Sequence, residues 1–240
     1  MYRIGVIGPK GPDYFAENVG DALQRLGHVV TQLGSARPSG HNRLVGRAVA
    51  LTRQALPRLD ERAQDRIVRA ALDADCEIVI NLDARLLPRA VTRLRSSGAR
   101  VAFWFPDHVA NLGRQYMLLA PYDAIFFKEP SLTDRLRAML GLPVYYLPQA
   151  CNPRWHRPVG HAGTEPCLVI AGNMYPSRVR LLDRLIAKGI PLRLYGSGFP
   201  RWVGETASRA VHTGRVVTCE EKARVFRSTT RVLNICPQPG

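Results

Sequence analysis

The sequence predicts an α/β protein made of two Rossmann-like units, the second of them incomplete. An apolar run from Tyr2 to Ile7 leads through a glycine loop into an amphipathic stretch from about Asp13 to Leu26. The same succession recurs at Cys167–Arg178, reading CLVIAGNMYPSR. Between them, residues 148–164 are rich in proline and glycine, as domain linkers often are. We therefore expect a first unit over 1–150, a linker over 151–165 and a partial second unit over 166–240.

The composition is that of a globular protein with a strongly basic surface. The 34 Lys+Arg residues exceed the 19 Asp+Glu residues and give a formal net charge of +15. Such a charge favours nucleic acid, an anionic membrane or a phosphorylated small molecule as partner. The arginines are scattered and no nucleic-acid-binding motif is present, which disfavours a specific nucleic-acid binder. An arginine-rich helical pattern over 43–72 leaves peripheral membrane contact open, although a solvated helix face is the simpler interpretation.

Cysteine usage and the absence of targeting patterns predict a cytoplasmic protein, with peripheral association with a membrane as the alternative. The five cysteines are odd in number and have no C-x-x-C spacing, which is typical of buried free thiols in a reducing compartment. The N-terminus shows no signal-peptide pattern. No apolar stretch approaches the ~20 residues that a membrane-spanning helix needs.

The loop after the first strand is a candidate phosphate-binding loop. Glycines at positions 5, 8 and 11 give the spacing G-x-x-G-x-x-G, which differs from the dinucleotide fingerprint G-x-G-x-x-G. The second predicted strand, His28 to Leu33, ends without the acidic residue that would bind a ribose hydroxyl. A dinucleotide-dependent dehydrogenase is therefore disfavoured. Gly8 to Gly11 can lie against a substrate phosphate, and a plain turn is an equal alternative.

Further strands and helices alternate through the rest of the first unit. Predicted strands cover 76–82, 100–105, 122–127 and 144–147, and predicted helices cover 43–72 (with a break near Pro57), 85–97 and 131–140. Asp73-Ala74-Asp75 matches a D-x-D metal motif, but it precedes a strand and is interpreted as a turn. Asp83 follows that strand and is expected to face a cleft, because ligands bind at the carboxyl ends of parallel strands.

Asp107 and His108 project from the carboxyl end of the strand that Pro106 stops. An acid beside an imidazole at this edge of a sheet is a candidate general base. The alternative is that Asp107 caps the following turn.

The second unit repeats the pattern from Cys167 onward. The sequence predicts a strand over 167–171, a helix over 177–188 that Ser177 caps, and strands at 191–195 and 231–235 with a helix near 220–227 between them. The turn at Gly172-Asn173 exposes backbone N–H groups at the positive end of a helix, where a phosphate can bind. An ordinary strand-to-helix turn has the same local features.

Six segments occur in one order and carry a family resemblance. They are FWFPDH (103–108), YDAIFFKEP (122–130), YLPQACNPRWHRP (146–158), AGNMYPSRVRLLDRL (171–185), LRLYGSG (192–198) and EEKARVFRSTTRVLNI (220–235). In this order they resemble the CgeB/YkvP-like spore-protein family of glycosyltransferases, which has the GT-B architecture of two Rossmann-like domains facing a cleft. The likeness covers about residues 100–235 well and the first hundred residues loosely.

The resemblance implies transfer of a sugar from a nucleotide-diphosphate donor to a sugar, lipid or protein acceptor, without an obligatory metal or other cofactor. In such enzymes the C-terminal domain holds the nucleotide and the N-terminal domain presents the acceptor. Carried over by position, the donor-binding residues are Gly172, Asn173, Tyr175, Arg178, Tyr195, Gly196, Ser197 and Glu220, with Arg178 on the diphosphate. The same carry-over makes Asp107 the catalytic base, with His108 beside it, and assigns Gly8, Lys10, Gly11 and Asp13 to an acceptor-side or phosphate loop.

The sequence departs from this family after the segment LNI. Relatives continue with an arginine and a Phe-Glu pair that hold the diphosphate and the ribose, and the given sequence ends at Gly240 before them. We therefore expect an incomplete donor site in a truncated form. The alternative function is a non-catalytic remnant that binds nucleotide sugar or glycan. An unfinished sheet edge also leaves homo-oligomer formation open.

Overall fold

The computed structural model of the chain describes residues 1–36, 48–49, 51–53, 55–109, 112, 116–200 and 203–234, without the side chain of Pro57. The sequence also predicts a polar loop over 37–42, and this loop lies outside the described residues. So do the start of the arginine-rich helical pattern, the end of the last predicted strand and Cys236. The chain divides into two compact units, Met1–Ala150 and Cys151–Gly240.

The first unit contains a six-stranded sheet in the order β2-β1-β3-β4-β5-β6, and every neighbouring pair is parallel. Its strands are β1 (Arg3–Ile7), β2 (Val29–Gly34), β3 (Ile78–Asn81), β4 (Arg100–Trp104), β5 (Ala124–Phe127) and β6 (Val144–Tyr146). Because β1 lies between β2 and β3, the winding direction reverses between β1 and β3. In open α/β sheets such a reversal opens a crevice at the carboxyl ends of the strands.

Helices cover both faces of this sheet. They are α1 (Phe15–Arg25), α2 (Pro57–Asp73), α3 (Pro88–Ser96) and α4 (Pro130–Leu140), with a short 3₁₀ turn at Tyr116–Leu118. One face packs Ile4 and Val6 against Phe15 and Val19 of α1. The other face packs side chains of β3, β4 and β5 against α2, α3 and α4, with Phe103 fully buried at its centre.

The second unit has a three-stranded parallel sheet in the order β8-β7-β9. Its elements are β7 (Glu165–Ala171), α5 (Pro176–Ala187), β8 (Leu192–Tyr195), α6 (Ala207–Ala210), α7 (Cys219–Arg227) and β9 (Thr229–Val232). Ile170 packs against Val179 and Leu182 of α5 on one face. Val169 packs with Val225 and Phe226 of α7 on the other. The predicted α/β fold with parallel sheets is thus confirmed.

Proline sets where several helices begin. Pro57, Pro88, Pro130 and Pro176 each stand in the first turn of a helix, where the missing N–H is harmless and the fixed φ fits the helix. The predicted break near Pro57 is confirmed. The helix predicted from residue 85 instead starts at Pro88, because residues 83–87 are held in a turn by Asp83. The short helix α6 was not predicted.

Three further properties of the chain bear on function. Arginines of α3 pair with acids of α2, Arg89 with Glu61 at 3.1 Å and Arg93 with Asp65, so part of the basic charge serves as ordinary surface pairing. Within the described ranges, no helix is both long enough and apolar enough to cross a bilayer. The expectation that the cysteines are buried is wrong for all those that the structure describes: Cys151 is exposed, and Cys76, Cys167 and Cys219 are half-buried.

Candidate functional site

The turn between β7 and α5 is the centre of the candidate site in the second unit. Tyr175 is the N-cap residue in extended conformation, and Pro176 occupies the first helical position. The predicted cap, Ser177, is therefore wrong: proline fixes the helix start one residue earlier and leaves Ser177 inside the first turn, exposed to solvent. No acidic residue lies in this first turn.

Exposed polar side chains from two strand ends meet at this turn. The strands are neighbours, with Ala171 of β7 opposite Tyr195 of β8. The Ser197 hydroxyl donates to Asn173 Oδ1 at 2.8 Å, and Asn173 Nδ2 donates to the Tyr175 hydroxyl at 3.3 Å. The amide of Asn173 thus links the end of β8 to the start of α5.

The buried side chain of Arg178 stabilises the turn. Its side chain is buried, with 8% of the residue exposed, and Nη1 donates to the carbonyl oxygen of Asn173 at 2.6 Å. The guanidinium carbon lies 5.7 Å from the centre of the Tyr175 ring, within the range of a cation–π contact. These contacts hold the backbone of the turn in place. They also put a permanent positive charge next to Asn173 and Tyr175.

Glycines allow the two strand ends to approach closely. Gly172 N–H donates to the carbonyl of Tyr195 at 2.9 Å, and a Cβ atom at Gly172 would lie 2.6 Å from Nη1 of Arg178. Gly196 has φ of +139°, and a Cβ atom there would overlap the carbonyl oxygen of Gly172. The turn therefore depends on the absence of side chains at both positions.

The structure thus brings together Gly172, Asn173, Tyr175, Arg178, Gly196 and Ser197 of the predicted donor-binding set. Tyr195 joins this group only through its backbone, since its ring packs against Val169 and Val217 on the face that α7 covers. Glu220 is exposed in the first turn of α7, and no described contact links its side chain to the cluster.

The loop after β1 contains the other predicted binding residues. A Cβ atom at Gly8 would lie 2.6 Å from the Cβ of Ala16, so glycine lets the loop approach α1. Asp13 has φ of +65° and accepts from Asn18 Nδ2 at 3.5 Å. Lys10 and Gly11 line a cavity of about 320 Å³ beside β2.

Asp107 and His108 follow β4, and β3 separates β4 from β1 in the sheet. The Asp107 side chain is exposed, and its Oδ1 accepts from the backbone N–H of His108 at 2.7 Å. This contact matches the turn-stabilising alternative that the sequence left open.

Asp83 is buried and stabilises a turn, so the expectation that it faces a cleft is wrong. The residue is 0% exposed, its Oδ2 accepts from the Ser35 hydroxyl at 2.6 Å, and its Oδ1 accepts from the N–H of Arg85 at 3.1 Å. Asn81 also holds this bend, because its Oδ1 accepts from Asp83 N–H at 2.9 Å. Asp83 therefore ties the end of β3 to the segment after β2.

His212 is a residue near the candidate site that the sequence did not single out. Residues 194 and 212 form an isolated parallel bridge, and the ring lies against Phe199 with 5.4 Å between centroids. Nδ1 accepts from Gly214 N–H at 3.0 Å. Burial lowers the pKa of His212, and a hydrogen bond with the Ser197 backbone opposes this shift in part. A lone histidine before a glycine turn gives no sequence signal for this position.

This lowered pKa gives a test of stability against pH. As the pH falls, the unfolded chain binds a proton at His212 near the ordinary pKa of 6.5, and the folded chain binds it only at a lower pH. The free energy of unfolding therefore decreases as the pH falls from 6.5 to the pKa of the folded state. We expect His212→Asn, which keeps an acceptor for Gly214 N–H, to lose less stability than the parent between about pH 8 and about pH 5. Urea denaturation at both pH values measures this difference. An equal loss in both proteins would contradict a half-buried imidazole that the fold keeps neutral.

No set of three His, Cys, Asp or Glu side chains placed to hold a metal ion occurs among the residues that the structure describes. Asp73 is the last residue of α2, and Asp75 has φ of +51° in the turn before β3. The D-x-D segment is thus the helix-to-strand turn that the sequence predicted.

Comparisons with known proteins bear on the fold. No protein-family model matches the chain, and no curated protein matches it in sequence. Among solved structures, sucrose-phosphate synthase from Thermosynechococcus elongatus aligns with a TM-score of 0.59 and 10% identity, over 97% of this chain and 75% of that chain.

Two further solved structures match below a TM-score of 0.5. Acinetobacter baumannii MurG has a TM-score of 0.46 and 14% identity over 99% of this chain and 69% of its own. The glycosyltransferase SnogD from Streptomyces nogalater has a TM-score of 0.44 and 15% identity over 96% of this chain and 77% of its own. These neighbours are GT-B glycosyltransferases, and at such low identity the likeness to sucrose-phosphate synthase establishes a shared α/β fold with parallel sheets.

Proposed function

We propose that this chain is a glycosyltransferase, or part of one, that binds a nucleotide-diphosphate sugar at the β7–α5 turn. The observation that carries the proposal is the cluster of Asn173, Ser197 and Tyr175 at adjoining strand ends, with the buried guanidinium of Arg178 behind it. The fold shared with sucrose-phosphate synthase and the resemblance to the CgeB/YkvP-like family support the same function.

Electrostatics favours the start of α5 for the diphosphate. The backbone N–H groups of a helix start carry partial positive charge, and no acid lies in the first turn of α5 to oppose an anion. The first turn of α7 contains Glu220 and Glu221 and would repel a phosphate. Glu220 is better suited to accept a hydrogen bond from a hydroxyl group of the donor. The positive charges at α5 make a resident metal unnecessary in this proposal.

Hydrogen-bonding capacity at the turn matches a sugar nucleotide. The Ser197 hydroxyl and both groups of the Asn173 amide are exposed and can exchange their mutual bonds for bonds to phosphate or ribose. Tyr175 is 44% exposed and offers a ring surface next to them. Arg178 acts here mainly as a positioning residue, because its guanidinium holds the carbonyl of Asn173.

The acceptor side of the proposal rests on the first unit. Asp107 is exposed at the carboxyl end of β4 and is proposed as the base that takes the proton of the acceptor hydroxyl, with His108 beside it. The alternative function, nucleotide-sugar binding without turnover, shares the donor site and lacks this step. Partly buried thiols at Cys76, Cys167 and Cys219 fit a reducing compartment, which agrees with a cytoplasmic location.

Calorimetric titration of the 240-residue chain with UDP and GDP tests the donor site. We expect one of them to bind, and we expect Asn173→Ala to weaken it about tenfold because a polar contact to the ligand is lost. Lys188→Ala is the matched control, since this exposed lysine follows the opposite end of α5. Absence of binding by either nucleotide would refute the donor site. Binding without any hydrolysis of a nucleotide sugar would favour the non-catalytic alternative.

A further inference from the structure

The outward side of α2 carries a row of arginines that the proposed function does not use. This arginine stripe consists of Arg58, Arg62, Arg66 and Arg69. At about 3.6 residues per turn, spacings of three and four residues put all of them on one side of the helix, over a length of about 17 Å. All of them are exposed, whereas Ile67 and Ala71 on the opposite side of α2 are buried in the core of the first unit.

The acids of α2 leave the arginine stripe without a counter-charge. Asp60 is buried, and Glu61 and Asp65 pair with arginines of α3. Among the described residues, none forms an ion pair with a guanidinium group of the stripe, and Asp73 at the end of the helix is no exception. Arg69 Nε donates only to the backbone carbonyl of Asp65, at 3.4 Å. Like charges three or four residues apart on a helix repel one another, so an anionic partner along the stripe relieves this repulsion.

Exposed leucines lie beside the arginine stripe. Leu56, the N-cap residue of α2, is 53% exposed, and Leu59 and Leu72 are 39% and 43% exposed. Leu59 stands three residues before Arg62, and Leu72 stands three residues after Arg69, so each leucine neighbours an arginine on the helix surface. Arginines and leucines on the same exposed side are typical of helices that lie in the plane of a bilayer surface.

The side-chain chemistry of this surface favours an anionic bilayer over nucleic acid. Guanidinium groups pair with the phosphates of either partner. Binding of single strands also uses aromatic rings on which bases stack, and the sequence has no Phe, Trp or Tyr from residue 16 to residue 102. The leucines gain nothing from the phosphate backbone of a duplex. At a bilayer they leave water for the acyl boundary while the arginines remain at the headgroups.

We propose that the arginine stripe and the leucines beside it bind an anionic lipid bilayer, with the axis of α2 parallel to the membrane surface. The inference goes beyond the proposed function, because none of these residues belongs to the candidate nucleotide site at the β7–α5 turn. It also gives a role to the part of the basic charge that the ion pairs between α2 and α3 leave over.

Sedimentation of the full chain with lipid vesicles tests this surface. The vesicles consist of phosphatidylcholine alone or of phosphatidylcholine with about one third phosphatidylglycerol, which is anionic. We expect binding to the anionic vesicles only, and weaker binding when NaCl is raised from about 0.1 M to about 1 M, because salt screens exposed charges. Equal binding to both kinds of vesicle, or binding to neither, would overturn the proposal. So would tighter binding of a short DNA duplex than of anionic vesicles at the same salt concentration.

A double variant, Arg62→Gln with Arg66→Gln, tests the arginines. We expect it to bind anionic vesicles about 25-fold more weakly, since each basic residue near an anionic surface strengthens binding about fivefold. The matched control is Arg184→Gln with Lys188→Gln, which removes the same charge from two exposed positions four residues apart at the end of α5. Equal weakening in both double variants would show that binding follows net charge rather than this side of α2, and the proposal would be wrong.

Leu72→Ser tests the apolar part of the surface. We expect about fivefold weaker binding to anionic vesicles, because less apolar area leaves water in the bound state. Leu181→Ser is the control, since Leu181 is 39% exposed on α5. If Leu72→Ser binds as well as Leu181→Ser, the leucines do not enter the bilayer and the proposed orientation of α2 is refuted.

Two further measurements on the same samples separate this proposal from the donor site. Far-UV circular dichroism verifies that every variant is folded. Titration with UDP and GDP should give the same affinity in the parent and in all variants of α2. A parent protein that binds vesicles but no nucleotide keeps the membrane surface and loses the donor site, and one that binds nucleotide but no vesicles has the opposite meaning.

Discussion

Alanine at Gly196 is expected to destabilise the second unit by about 3 kcal/mol and to abolish nucleotide binding at the β7–α5 turn. A Cβ atom would overlap the carbonyl oxygen of Gly172, and φ of +139° is unfavourable for alanine. The backbone of Gly196 cannot retreat freely, since its N–H donates to the carbonyl of Arg215 at 2.8 Å. The strain must therefore separate β8 from the turn that holds Asn173.

Gly198→Ala is the matched control for this substitution. Gly198 has no atom within 4 Å of an added Cβ, and its backbone lies outside the conformations that favour glycine. Urea denaturation monitored by circular dichroism measures stability, and titration with UDP and GDP measures the site. If Gly196→Ala is as stable as Gly198→Ala and binds nucleotide equally well, the close packing of Gly172 and Gly196 is not what shapes the turn.

Replacement of Asp83 by alanine is expected to destabilise the first unit by about 3 kcal/mol while leaving nucleotide affinity unchanged. The fully buried carboxylate accepts hydrogen bonds from Ser35 and from the backbone of Arg85, so its loss leaves buried donors without an acceptor. The neighbouring network remains: Asn81 Nδ2 donates to the Tyr122 hydroxyl at 2.7 Å, and burial raises the pKa of Tyr122 so that this hydroxyl stays protonated.

Asp134→Ala provides the comparison for Asp83. Its side chain is 76% exposed and lies 4.0 Å from Arg137, a surface pair of little energetic value. Urea denaturation should separate the two variants clearly. If Asp83→Ala is as stable as Asp134→Ala but has lost sugar transfer or ligand binding, Asp83 would have a direct role in the candidate site.

Local sequence signals predicted the elements of this fold well. Apolar runs that end in glycine, as at Gly8 and Gly172, mark parallel strands leading into helices, because the chain must turn sharply and let backbone atoms approach. The predicted helix starts at residues 85, 131 and 177 missed the prolines at which these helices begin, Pro88, Pro130 and Pro176. The coarse α/β class follows from these signals because strand length, apolar content and turn chemistry are local properties.

Side-chain environments at the strand ends were predicted less well. Asp83 and Asp107 both follow strands of the first unit, yet Asp83 is fully buried and Asp107 is exposed. The difference arises from Ser35, which lies after β2 and reaches Asp83 only through the pairing of distant strands. Tyr195 likewise has its ring in the core, because the register of β8 against β7 directs it toward α7.

Local residue patterns were enough to predict that strands and helices alternate and that a glycine turn follows the first strand of each unit. The polar contacts at the strand ends, such as Ser197 with Asn173 and Ser35 with Asp83, emerged only from the folded structure. Such contacts form because proximity across a sheet depends on strand order and register. These are set by long-range packing of the hydrophobic faces and cannot be deduced from the spacing of residues along the chain.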